Sequence, residues 1–102
     1  MPSIFEPCGL NQMYSQIYGT VPIVTRVGGL ADTVIDLNQD PKNGTGLMCA
    51  ANAADLRRVL EDALALFADR AAMDAARIRG MKIDFSWKVA ALAYEELYRE
   101  LI

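Results

Sequence analysis

Apolar residues recur along this chain with two periods, and the changes of period mark its elements. Leu10, Met13, Tyr14, Ile17 and Tyr18 stand at i, i+3, i+4, i+7 and i+8, one face of a helix with about 3.6 residues per turn. Gly19 follows as its stop, and the stripe predicts that Tyr14 and Tyr18 point into the core. Val21-Pro22-Ile23-Val24 is a short β-branched run that predicts a buried parallel strand, with Pro22 tolerated only near its start. Gly28-Gly29 comes next, and residues 30–35 are enough for a short helix. Residues 36–45 are rich in Asp, Asn, Pro and Gly and predict a surface loop, after which Gly46-Leu47-Met48-Cys49 predicts a second brief strand.

The second half reads as helical. Asn52 is placed to cap a helix whose stripe is Leu56, Val59, Leu60, Ala63, Leu64 and Phe67, with Asp55 in its first turn. An Ala-rich helix is predicted from about 70 to 79, with Gly80 as its stop. Ser86 is the predicted cap of a last helix carrying Val89, Ala93, Tyr94, Leu97, Tyr98 and Leu101 on one face, with Trp87 at its start as a packing residue. Helix, strand, helix and strand in alternation predict an α/β fold with few parallel strands, flanking helices and a helical C-terminal half. A doubly wound domain normally opens on a strand. This chain opens on a loop, so it reads as the second half of a Rossmann-like nucleotide-binding domain.

Composition narrows the function classes. A hydrophobic fraction of 53% over 102 residues is enough for a core. The net charge of −3, with Lys and Arg scattered, offers no footprint for nucleic acid. No apolar run approaches the roughly 20 residues that span a bilayer, no basic-then-apolar leader opens the chain, and the reading is cytoplasmic with no membrane partner. With no His and only Cys8 and Cys49, a Cys/His metal site is excluded and reduced thiols are expected. No metal or cofactor is called for, and acid/base work falls to carboxylates, Lys, Tyr or substrate.

Chemistry concentrates in Phe5-Glu6-Pro7-Cys8-Gly9-Leu10. A helix that starts after a glycine presents unpaired amides and the positive end of its dipole, a place for a phosphate. Glu6 at its rim would repel a phosphate, so a role for it points to a neighbouring hydroxyl such as a sugar's. Gly28-Gly29 is a second strand-to-helix junction of the anion-binding kind. Asp32 reads as a helix acid stabilised by the dipole, and Cys8 as a small residue packing the helix start.

Together with Pro2-Ser3, Gln12, Tyr14, Tyr18-Gly19-Thr20-Val21-Pro22-Ile23-Val24, Gly28-Gly29-Leu30-Ala31-Asp32-Thr33-Val34, Thr45-Gly46 and Phe85-Ser86-Trp87, this segment resembles the C-terminal part of the bacterial glycogen synthases and is similar to plant starch synthases. The resemblance covers essentially the whole chain. It implies a B-type glycosyltransferase: two Rossmann-like domains with the active site in the cleft between them, metal-independent, transferring glucose from ADP-glucose to the non-reducing end of an α-1,4-glucan with retention. Residues 1–102 would then be a partial C-terminal nucleotide-sugar-binding domain. The N-terminal domain, the first part of this domain and the family's phosphate-binding Arg and Lys would lie outside it, and the piece alone would be inactive. The resemblance makes Glu6 the catalytic carboxylate against the donor glucose and places Cys8 beside the sugar. The amides of Gly9 and Leu10, with Asn11, would hold glucose and the distal phosphate, and Gly28 and Gly29 would lie near the phosphate or sugar. Ile4 stands where the family often has Arg and Asn11 where it often has Thr, while Tyr14 replaces the second Glu of the broader superfamily, as glycogen synthases commonly do. Two alternatives stand beside this reading: a non-catalytic, self-associating module, and the same fold with a different nucleotide sugar.

Overall fold

A computed structural model describes residues 1–102. Strands β1 (Ile23–Thr25) and β2 (Leu47–Cys49) pair in parallel, with Ile23 opposite Leu47, Val24 opposite Met48 and Thr25 opposite Cys49. Side chains alternate across a strand, and this alternation builds two small cores. Val24 and Met48 pack with Leu30 and Val34 on one face, while Leu47 and Cys49 pack with Val59 on the other, joined by the partly buried Ile23, Leu56, Ala63 and Leu66. The first face is covered by helix α2 (Gly28–Thr33) and the second by helix α3 (Ala53–Ala68). The predicted α/β class therefore holds.

The other edge of β1 is also engaged. The Met1 ammonium donates to the Ile23 carbonyl at 2.8 Å, and the Thr25 amide donates to the Met1 carbonyl at 3.1 Å. This is the hydrogen-bond pattern of a parallel neighbour, so Met1 lies beside Val24 in a strand position. The Thr25 hydroxyl then donates to the Ser3 carbonyl. These bonds deliver the following loop, residues 4–10, to the carboxyl end of β1.

Helix α1 (Asn11–Ile17) ends as its sequence predicts. Gly19, at φ +73°, donates to Gln16 and Thr20 donates to Ser15, the paired bonds of a Schellman motif, in which a left-handed glycine meets no Cβ penalty. Its orientation is the opposite of the prediction. Leu10, Tyr14, Ile17 and Tyr18 are exposed, Tyr18 at 84%, and the buried residues are Gln12 and Gln16. Tyr14 and Tyr18 are not core residues, because the side of α1 that meets α2 is the amide-bearing one.

Helix α4 (Arg70–Lys82) runs through Gly80, which is no stop. Gly80 is buried where α4 crosses α1, and a Cβ there would lie 3.4 Å from the Gln16 Cβ. Asp69 caps α4 by accepting from the Ala72 amide, and Asn52 caps α3 by accepting from the Asp55 amide. The stripe of α3 is split: Leu56, Val59 and Ala63 turn inward, while Leu60, Leu64 and Phe67 are exposed. The predicted loop at 36–45 is exposed only in its middle. Asp36 is buried in a bridge to Gly46, accepting from Arg26 at 2.7 Å and from the amides of Asn38 and Met48, and Gly44 and Thr45 are buried at the other end.

Helix α5 (Trp87–Leu101) buries no residue, and Trp87 is 82% exposed rather than packed. Ser86 sits at the cap position without a side-chain cap bond; its amide instead donates to Asp84. The radius of gyration, 14.9 Å, exceeds the roughly 13 Å of a compact chain of this length, as expected for a helix that projects from the body. No helix is long and apolar enough to cross a membrane.

Candidate functional site

The loop carrying Glu6, Cys8 and Gly9 rests on the N-terminus of α2, just past the carboxyl end of β1. The Gly29 amide donates to the Glu6 carbonyl at 3.0 Å. A Cβ on Gly28 would collide with that same carbonyl oxygen, and one on Gly29 would collide with the backbone of Cys8. The glycine pair is therefore a seat for the loop. Gly29's amide is already engaged by Glu6, and those of Leu30 and Ala31 turn back to Val27, so this junction is not an open ring of donors of the kind the sequence suggested.

The start of α1 offers more. The amides of Gly9, Leu10 and Asn11 donate to no acceptor within the chain, and Leu10 and Asn11 are exposed. Helix α1 has only seven residues, and Leu10 at its cap is αR with no side-chain bond, so its dipole is short. The anion-attracting feature is the set of free amides rather than a long helix. Glu6 is half-buried, and one carboxylate oxygen accepts from the Ser3 hydroxyl at 3.3 Å. The other oxygen has no partner in the chain. Cys8 is exposed, its thiol directed to the Gly9 carbonyl at 3.4 Å.

The arrangement is a shelf. The largest groove, about 450 Å³, lies instead between α3, α4 and the 36–45 loop, lined by Leu37, Leu66 and Arg79. A second, of about 290 Å³, lies beside the base of the loop, lined by Pro2, Ile4, Cys49 and Leu56. Glu6, Cys8 and Gly9 line neither. A carboxylate next to free amides on an open shelf can bind a sugar hydroxyl and an anionic group side by side when another surface closes over them. No three carboxylate or thiol side chains converge as a metal site would require.

The sequence pointed to all these shelf residues except those beneath it. Gln12 figured in the resemblance and Gln16 did not, but the apolar stripe that alternates with them hid the burial of both. The signal that could have found them is their own i, i+4 spacing after Gly9, a second face of the same helix.

No family model matches the chain. Among curated proteins it is 59% identical over 102 residues to a glycogen synthase of Opitutus terrae, covering 100% of this chain and 21% of that protein. It is 48% identical to a glycogen synthase of Halorhodospira halophila, covering 100% of this chain and 22% of that protein. The chain thus spans about a fifth of the length of the curated relatives it matches. Among solved structures, the catalytic domain of starch synthase IV from Arabidopsis thaliana, bound to ADP and acarbose, superimposes with a TM-score of 0.83 at 38% identity, covering 97% of this chain and 21% of that one. Sucrose-phosphate synthase from Thermosynechococcus elongatus superimposes with a TM-score of 0.68 at 33% identity, covering 98% of this chain and 24% of that one. The predicted fold class, part of a Rossmann-like domain of the B-type glycosyltransferase kind, therefore holds.

Proposed function

The chain is homologous along its whole length to the C-terminal region of glycogen synthases, and on that premise we propose that the protein containing it transfers glucose from ADP-glucose to the non-reducing end of an α-1,4-glucan, with retention. The observation that carries the reading is the 59% identity over the full chain, taken with a shelf that sets Glu6 beside free amides. The Arabidopsis relative holds ADP and acarbose on the same fold. Glu6 would orient the donor glucose through its hydroxyls, with Cys8 alongside. The amides of Gly9, Leu10 and Asn11 would stabilise the charge that develops on the departing diphosphate. Gly28 and Gly29 would serve by seating the loop. Residues 1–102 would form part of a C-terminal nucleotide-sugar-binding domain in a cytoplasmic enzyme. The opposing wall of the cleft would come from other parts of the protein, so this chain alone would elongate no glucan.

The test is a chimera in which this chain replaces the matching fifth of the Opitutus terrae relative. Transfer of glucose from ADP-glucose to glycogen, abolished by Glu6→Ala, is the expected result. A folded chimera without transferase activity would overturn the assignment.

A second reading is favoured by one observation, the bare apolar faces of α5 and of Leu60, Leu64 and Phe67 on α3. Alone, the chain would self-associate through them.

A further inference from the structure

The shelf is held from below by a closed circuit of hydrogen bonds. Gln12 is fully buried, and the two hydrogens of its Nε2 are shared among three acceptors, the carbonyls of Cys8 and Gly9, both at 2.9 Å, and Thr33 Oγ1 at 3.0 Å. Thr33 Oγ1 in turn donates to the Gly29 carbonyl at 2.6 Å, and the Gly29 amide donates to Glu6. The circuit runs from Glu6 through Gly29, Thr33 and Gln12 back to Cys8 and Gly9. It ties α1 and α2 to the two ends of the loop that carries the carboxylate and the free amides.

We propose that Gln12, acting through Thr33, is the positioning residue of the donor site. By drawing the Cys8 and Gly9 carbonyls inward, it turns the amides that follow them toward the nucleotide sugar. Peptide groups are rigid planes, so fixing a carbonyl fixes the direction of the next residue's N–H: Cys8 sets the Gly9 amide and Gly9 sets that of Leu10. Gly9 matches this arrangement, because at φ +76° a Cβ would sit 2.6 Å from Gln12 Oε1. An apolar residue at position 12 or 16 would relieve a buried, unpartnered Oε1 but strand the carbonyls that the Nε2 group satisfies, so both substitutions cost stability. What glutamine adds at position 12 is the donor beneath the loop.

Gln16 supplies the control. It is equally buried and has the same orphaned oxygen, but its Nε2 donates to the carbonyls of Gln12 and Thr33 and not to the loop. The kinetic arm rests on the glucosyltransferase reading and uses the same chimera. Gln12→Met and Thr33→Val should each lower kcat/KM for the nucleotide sugar by about tenfold or more, while Gln16→Met should stay within about twofold despite a similar loss of thermal stability. The second arm uses the 102-residue chain itself. Heteronuclear ¹H–¹⁵N NOE values at Gly9 and Leu10 should fall in Gln12→Met and Thr33→Val and hold in Gln16→Met. Equal kinetics in the Gln12 and Gln16 variants, or Gly9 and Leu10 as rigid in both loop variants as in the wild type, would overturn the proposal. A wild-type chimera without activity would instead sink the enzyme reading and leave the NOE arm to decide. If Gln12→Met fails to fold, Thr33→Val carries both arms.

Discussion

The amide of Gly29 donates to the carbonyl of Glu6 at 3.0 Å, and a Cβ on Gly29 would run into the backbone of Cys8, two residues further along the same loop. Two stretches of chain separated by a helix and a strand thus share one backbone surface. The carboxylate's position depends on a residue with no side chain.

Gly29→Ala should accordingly destabilise the chain by about 1–3 kcal/mol, since its Cβ would meet the Cys8 backbone, which cannot swing away. Gly80→Ala makes the contrast. Its new methyl would meet the Gln16 Cβ at an ordinary 3.4 Å inside helix α4, where alanine is favoured over glycine by about 1 kcal/mol. Urea denaturation of the two variants should move the midpoint in opposite directions.

In the chimera, Glu6→Ala should lower turnover by about a hundredfold or more, as removal of a group that acts on the reacting sugar does. The loop is held by the Glu6 carbonyl, which the substitution keeps, so thermal stability should change little. Near-normal initial rates would remove Glu6 from the mechanism.

The two thiols should be cleanly separable. Cys8 is exposed, while Cys49 is buried in the sheet and its pKa is raised, first by burial and then by the Asp55 charge. Reaction with a thiol reagent at neutral pH should label Cys8 in the native chain and Cys49 only after unfolding. Rapid labelling of both would mean that the β2 core opens readily.

Acid should weaken the fold through its short-range carboxylates. Asp55 is held below its ordinary 3.8, first by the Arg58 side chain and then by the Ala50 amide; Asp40 is lowered by Asn43 and Asp84 by Ser86. A lowered folded-state pKa gives stability that is complete above the unfolded value and lost as pH falls through the folded one. Denaturation midpoints should therefore be insensitive to these groups between pH 5 and 7, on the order of constant, and fall below about pH 4. Asp55→Asn should flatten that fall.

Light scattering of the isolated chain should show mass increasing with concentration, because Phe67, Trp87 and Tyr98 are at least 61% exposed and lie on faces no other element covers. A monodisperse monomer at high concentration would end the self-association reading.

Local signals were legible where they depend on neighbours in sequence. Gly19 was recognisable as a helix stop because a Schellman turn needs only six consecutive residues, and Asn52 as a cap because the amide it accepts from is three residues away. Glu6 and the glycines beside it stood out by residue type. Gly80 misled for the same reason: a glycine after a helical run reads as a terminator, and nothing local shows that α1 crosses there.

By itself, then, the sequence determined the order of elements, the parallel strands, the shelf residues and the kinship with glycogen synthases. The tertiary structure decided which face of each helix is inside. An apolar stripe records that a surface prefers burial, without naming what buries it. In this chain the stripes of α1, α5 and half of α3 remain bare, while Gln12 and Gln16 go inside because Thr33, Cys8 and Gly9 offer acceptors there. Hydrogen bonds between segments some twenty residues apart have no periodic signature in sequence, so the support beneath the Glu6 loop became visible only when the helices were packed.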